Sequence, residues 1–113
     1  MTPHLKPWIS AGPIVYLSGQ LAFDADRNIS APDIVSQTRQ VLENIATVLR
    51  DADLSPSDVV KTTVWLRNGA DFSGFDAAYA SFFGQHRPAR STVVANLVLE
   101  KALVEIEAIA YRG

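Results

Sequence analysis

Hydrophobic side chains recur at two different spacings along this chain, and the spacing separates predicted helices from predicted strands. A repeat of three or four positions predicts an amphipathic helix, one face of which is formed by Ile34, Thr38, Val41, Leu42, Ile45 and Leu49. Ser30, with Pro32 and Asp33 close behind it, is expected to begin this helix. A second helical stripe predicts a helix within DFSGFDAAYASFFGQH at 71–86 and consists of Phe72, Phe75, Tyr79, Phe82 and Phe83. Each helix therefore offers an apolar face to a neighbouring layer.

Strands are predicted where β-branched residues cluster. The segment VVKTTVWL at 59–66 is one such run, and two more are expected at 90–96 and 103–111. Residues 13–23 are expected to form two short strands or one bent strand, broken at Ser18-Gly19, where glycine permits a bulge. The order is ββαβαββ, which predicts an α+β fold with both helices on one face of a sheet.

Composition limits the kinds of protein that fit this pattern. The chain has 113 residues, 48% of them apolar and 19% charged, so we expect a single folded domain over 1–113. The formal net charge is −2 and there is no Lys/Arg cluster, which argues against nucleic-acid or anionic-membrane binding. There is no cysteine, and the two histidines, His4 and His86, lack metal-ligand spacing, so we expect no metal or cofactor. No signal-peptide or membrane-spanning run is apparent, and we expect a cytoplasmic protein.

The last predicted strand places two carboxylates on one face. Its alternation turns Glu105 and Glu107 to the same side as Ile109 and Tyr111. If strands 90–96 and 103–111 form an antiparallel pair turning near 97–98, Arg90 falls opposite Glu105, and a turn one residue later moves the partner to Glu107. Such a pair is either a structural ion pair or an anion site, in which Arg90 grips a ligand carboxylate and Glu105 holds or deprotonates a water.

Several segments together resemble a known family. The resemblance extends over nearly the whole chain from about residue 12 and is most specific in the two C-terminal motifs. The chain is similar to the YjgF-type reactive intermediate deaminases (RidA-like, older name endoribonuclease L-PSP) in YLSGQLAFD, QTRQVLENIATVL, DVVKTTVWL, DFSGFDAAYASFF, RPARSTV and LVEIEAIA.

The resemblance implies a fold, an assembly and an activity. The fold would be chorismate-mutase-like, assembled as a homotrimer with three ligand clefts between neighbouring subunits. The activity would be cofactor-independent hydrolysis of small carboxylate-bearing imines and enamines to the 2-keto acid and ammonia.

The resemblance also assigns roles to residues of this chain. Arg90 matches the family arginine that grips the substrate carboxylate, and Glu105, rather than Glu107, matches the glutamate that positions the attacking water. Ser18 and Gly19 match the strand segment that lines the cleft. Further matches near the ligand are Thr92, where the family has Cys or Thr, and two positions contributed by the neighbouring subunit, Phe72 and Asp76.

This chain departs from the family pattern at three places. The segment GPYSQA, whose tyrosine caps the pocket in typical members, is replaced by HLKPWISAG, so Leu5 or Trp8 is expected to shape the pocket instead. Leu99 stands where a proline usually follows the strand of Arg90. Asp76 stands where asparagine is commoner and adds negative charge near the anion site.

Two other functions fit the same residues. A trimeric ligand-binding or holdase-like protein would keep the fold without turning over an imine, and Asp76 together with the altered N-terminal segment favours that alternative. Ribonuclease activity, suggested by the older family name, fits poorly with a net negative chain that lacks a basic, aromatic-interleaved patch.

Overall fold

The computed structural model describes residues 3–113 and confirms the predicted order of elements. The elements are β1 (Trp8–Ala11), β2 (Ile14–Gln20), α1 (Ile34–Asp51), β3 (Val59–Leu66), α2 (Phe72–Phe83), β4 (Ala89–Val94) and β5 (Val104–Tyr111). Short 3-10 turns at Pro56–Asp58 and Gly69–Asp71 precede β3 and α2.

Helix α1 begins at Ile34, a few residues later than predicted, and its N-cap is Asp33 instead of Ser30. The Asp33 carboxylate accepts a hydrogen bond from the backbone N–H of Ser36 at 2.8 Å, and the Ser36 hydroxyl accepts one from the backbone N–H of Asp33 at 3.3 Å. This reciprocal pair satisfies amides that the first helical turn leaves free. Ser30, predicted to begin the helix, instead donates to the Asp24 carboxylate at 2.8 Å in the preceding turn.

The strand predictions hold best for β3, whose observed bounds match those predicted. The N-terminal pair begins earlier than predicted, since β1 starts at Trp8 and no strand covers 21–23. Ser18-Gly19 does not divide two strands, because β2 continues through it, but the predicted bulge is confirmed by the register shift of β2 against β5 between Leu17 and Gln20.

The predicted hairpin between the last two strands is wrong. The sheet order is β1-β2-β5-β3-β4, so β5 lies between β2 and β3, and β4 pairs in parallel with β3 at the sheet edge. The connection 95–103 crosses β3, where the Arg67 side chain donates to three of its carbonyls, those of Leu97, Leu99 and Ala102, at 2.7–3.2 Å. This clamp compensates for the turn residues that the connection lacks.

Both helices pack on one face of this mixed sheet, as predicted. The buried core lies between them and the inward side chains of the strands, and its largest members include Val15, Leu42, Ile45, Leu49, Leu66, Phe75 and Ile106. Within residues 3–113 no helix covers the opposite sheet face, which displays exposed apolar side chains, among them Tyr16, Val93 and Tyr111. Among the described residues, no helix is both long and apolar enough to span a membrane.

Candidate functional site

Arg90 lies on the edge strand β4 and points to the helix side of the sheet. It is in register with Thr62 of β3, whose buried side chain faces the helices, and neighbours in register share a face. The guanidinium lies over three aromatic rings of α2, with its Cζ 4.8 Å from the Tyr79 centroid, 5.2 Å from Phe75 and 5.6 Å from Phe72. Such cation–π contacts stabilise a fixed charge without consuming its N–H donors.

One carboxylate pairs with Arg90. Its Nη1 donates to Oδ1 of Asp76 at 2.8 Å, and the side chains are 22% and 48% exposed respectively. This is the one side-chain hydrogen bond of Arg90 to any residue of 3–113, so most N–H groups of the fork remain free for a ligand. Asp76 and Arg90 line a groove of about 520 Å³ between α2 and the start of β4.

The rings of Phe72, Phe75 and Tyr79 form an aromatic cradle for Arg90, and a hydrogen bond holds Tyr79 in place. The hydroxyl groups of Tyr79 and Thr62 are 2.7 Å apart and both side chains are buried. Burial raises the pKa of Tyr79, so the phenol stays neutral beside the guanidinium. From the sequence, Tyr79 and Phe75 are expected only in the apolar stripe of the second helix, with no role at the site. Their spacing from Phe72 and Asp76, at positions three or four apart along one helix face, is the signal that could have identified them.

Glu105 lies on the other side of the sheet. It stands opposite Trp65 of β3, flanked by the inward-facing Val104 and Ile106, so its side chain points away from the helices. Burial raises the pKa of this carboxyl above its ordinary value, and the negative charge of Glu107 raises it further. Such a carboxylate accepts a proton more readily than an exposed one.

Gly19 of β2 lies beside that carboxylate. A Cβ at this position would overlap Oε2 of Glu105. The Ser18 hydroxyl beside it donates to the backbone carbonyl of Lys6 at 2.6 Å. Gly19 therefore adjoins Glu105, and Ser18 precedes it in the chain, while the cleft-lining role of these two residues stays a prediction.

A cavity of about 370 Å³ opens beside Ser18 and Gly19, and Leu5 lines it. Trp8 is not among its lining residues; its indole N–H donates to the Asp51 carboxylate at 3.0 Å and its ring packs against the core. Neither Arg90 nor Glu105 lines this cavity, so the expectation that Leu5 or Trp8 shapes the pocket stays a prediction.

A larger open depression, of about 640 Å³, contains none of the predicted site residues. Its buried amide, that of Gln37, is fully engaged: it donates to the carbonyls of Ala31 and Lys101 and accepts from the backbone N–H of Leu103. The Gln37 amide is therefore not available to bind a ligand in this depression.

The predicted site residues fall into two separate halves. Arg90 and Glu105 do not meet, because β3 lies between their strands and their side chains emerge on opposite faces of the sheet. The predicted Arg90–Glu105 ion pair is thus wrong within one chain. Thr92, in register with Val64, shares the helix face with Arg90. Phe72 and Asp76, expected from a neighbouring subunit, contact Arg90 of their own chain and belong to its half.

Comparisons with known proteins bear on the family and the fold of this chain. Residues 2–112 match the profile of the family described as endoribonuclease L-PSP. A RutC family protein of Pyrococcus horikoshii is 43% identical over 105 residues, which cover 92% of this chain and 83% of the relative. The 2-iminobutanoate/2-iminopropanoate deaminase of Salmonella typhimurium is 38% identical over 107 residues, covering 92% and 84%. The crystal structure of a Rid family protein from Yersinia pestis superposes with a TM-score of 0.92 at 38% identity, covering 98% and 90%.

Proposed function

The chain belongs to the endoribonuclease L-PSP family, which includes the YjgF and Rid proteins, and we propose that it hydrolyses 2-imino and enamine acids to 2-keto acids and ammonia. Deaminases of this kind are named among its relatives at 38% identity. The proposed reaction takes place between chains of a homotrimer, where the Arg90 half of one subunit faces the Glu105 half of the next.

The separation of Arg90 from Glu105 is the observation that supports this proposal best. Arg90 has free N–H donors in an aromatic cradle at a sheet edge, while Glu105 is a partly desolvated base on the opposite face. Neither half can bind a carboxylate and activate a water by itself. A second copy supplies the missing half, and the exposed apolar side chains of Tyr16, Val93 and Tyr111 offer it a surface to pack on.

The proposed chemistry begins with orientation. The fork of Arg90 takes the substrate carboxylate in a bidentate hydrogen bond, which fixes the adjacent imine carbon. Thr92, Phe72 and Asp76 surround this end, and the backbone at Ser18 and Gly19 lines the other. An imine carbon is already electrophilic, so positioning and one proton acceptor are sufficient to lower the barrier.

Water addition comes next and starts from the imine protonated on nitrogen. As the water oxygen bonds to the imine carbon, Glu105 removes one water proton and the C=N π electrons move to nitrogen, giving a neutral carbinolamine. Glu105 returns that proton to the amino nitrogen, and ammonia leaves with the carbon–nitrogen bonding electrons as the hydroxyl oxygen forms the C=O bond. The hydroxyl proton then passes to Glu105 and on to solvent, which restores the base. The raised pKa of Glu105 suits both proton acceptance and proton return.

A trapping assay tests the activity. An amino acid oxidase supplies 2-imino acids in the presence of semicarbazide, and the semicarbazone of the imine is followed with and without the protein. We expect the wild type to suppress semicarbazone formation, and Arg90→Ala and Glu105→Gln to lose this effect by at least about a hundredfold. Arg39→Ala and Glu43→Gln, which change the same residue types on the exposed face of α1, serve as matched controls.

The outcome also decides between catalysis and simple binding. If the wild type diverts no imine, from alanine-sized to aromatic, the deaminase proposal fails and the ligand-binding alternative replaces it. Sedimentation at micromolar concentration tests the assembly separately, since a monomer with full activity would contradict a site shared between subunits.

A further inference from the structure

Asp76 presents a hydrogen-bond acceptor beside the anion-binding arginine. Its Oδ1 accepts from Arg90, whereas Oδ2 accepts from no donor within residues 3–113. The side chain is about half exposed, at 48%, and lines the groove next to the guanidinium. A ligand whose carboxylate reaches Arg90 therefore has a free carboxylate oxygen near its α-position.

The Asp76 charge changes what the Arg90 half can bind. A guanidinium paired with one carboxylate has little net charge, so a ligand offering only negative charge gains less from it. A carboxylate accepts hydrogen bonds and cannot donate them when ionised. Next to the ligand carboxylate, an N–H group would satisfy Asp76, while a keto oxygen would face another acceptor.

We propose that Asp76 is a specificity-determining residue that favours 2-imino and 2-amino acids over 2-keto acids, by accepting a hydrogen bond from the N–H next to the ligand carboxylate. The inference rests on the proposed function, because in that reaction Asp76 would discriminate the imine substrate from the keto acid product. The imine donates to Asp76 when it binds. Once the nitrogen has left, the keto acid meets two acceptors facing each other and dissociates.

A purely structural role for Asp76 would have a different effect. If Asp76 only holds the Arg90 fork in place, its loss weakens every carboxylate ligand by a similar factor. If it reads the α-substituent, its loss changes the ratio of affinities between N–H and keto ligands. The ratio therefore distinguishes the two roles, whatever happens to the absolute affinity.

The experiment is an equilibrium titration with two stable ligands of equal carbon skeleton, 2-aminobutanoate and 2-oxobutanoate. Each is added to the assembled wild type, Asp76→Asn, Asp76→Ala and Asp71→Asn, and binding is followed by NMR chemical shifts or calorimetry. Asparagine keeps the shape of aspartate but can also donate to a keto oxygen. Asp71→Asn removes the same charge at the start of α2, where the Asp71 side chain makes no capping bond.

We expect the wild type and Asp71→Asn to prefer 2-aminobutanoate. We expect this preference to fall about tenfold or more in Asp76→Asn and Asp76→Ala, with 2-oxobutanoate binding tighter to Asp76→Asn. Equal weakening of both ligands, an unchanged ratio, or no binding of either ligand by the wild type would overturn the inference. The titration involves no turnover, so a preserved preference without imine hydrolysis would refute the proposed function alone.

Discussion

Gly19 lies against the carboxylate of Glu105, so close that a Cβ at position 19 would overlap Oε2. This contact joins the bulged strand β2 to β5 at the point where the proposed base is held. The Glu105 side chain is flexible at its end, so it can move away from an added methyl group. Position 19 therefore controls where the carboxylate sits rather than whether the chain folds.

Gly19→Ala should consequently impair catalysis more than stability. We expect kcat in the trapping assay to fall about ten- to a hundredfold, because a small displacement of a catalytic group is costly, with little change in Tm. Gly69→Ala is the matched control, since a Cβ there meets the Val94 side chain at an ordinary 3.5 Å. A large loss of Tm with an unchanged kcat would show that Gly19 is structural instead.

The charge of Glu107 should affect the pH dependence of kcat/KM through the pKa of Glu105. Burial is the first cause of the raised pKa of Glu105 and the Glu107 charge is the second. Glu107→Gln removes only the second, so the pKa of Glu105 should fall part of the way toward its ordinary value. We expect the acidic limb of the kcat/KM profile to move to lower pH, and an unmoved limb or a shift to higher pH would contradict this.

Glu105→Gln should stabilise the fold while abolishing activity. A carboxyl whose pKa is raised on folding binds its proton more tightly in the folded state, so its ionisation disfavours folding as pH rises above the ordinary value of 4.5. Glutamine does not ionise, so the variant avoids this loss of stability at high pH. Thermal unfolding should show no difference near pH 4 and a higher Tm for the variant at pH 8, by less than the ~4–8 °C that 1 kcal/mol produces in a domain of this size. A lower Tm at pH 8 would contradict the prediction.

The hydroxyl pair of Thr62 and Tyr79 should behave as a coupled unit. Thr62→Val leaves the Tyr79 hydroxyl without its buried partner, which should lower the free energy of unfolding by about 1–3 kcal/mol. Adding Tyr79→Phe removes the orphaned group and should recover part of that loss. Denaturant unfolding of the two single variants and the double variant measures the coupling, and additive losses would mean that the hydrogen bond contributes nothing.

The sequence was most informative for elements that a local pattern of residues specifies. The β-branched run of β3 and the aromatic stripe of α2 are local patterns, and both elements lie where they were predicted. The predicted pairing of Arg90 with Glu105 was wrong because the connection 95–103 is long enough to cross β3, and no residue in it indicates the crossing. The Arg90–Asp76 contact depends on how α2 packs over β4, which spacing along the chain cannot reveal.

Strand β5 is fifth in the chain but third in the sheet, and it joins two ribbons that are not otherwise paired within the sheet. β2 pairs with β1 and β5, while β3 pairs with β4 and β5, so β2 and β3 share no hydrogen-bonded register. During synthesis both ribbons are made before β5, and each keeps one edge unpaired until β5 emerges. The strand that completes the sheet also carries Glu105. A nascent chain therefore acquires its proposed base only when β5 pairs with both ribbons.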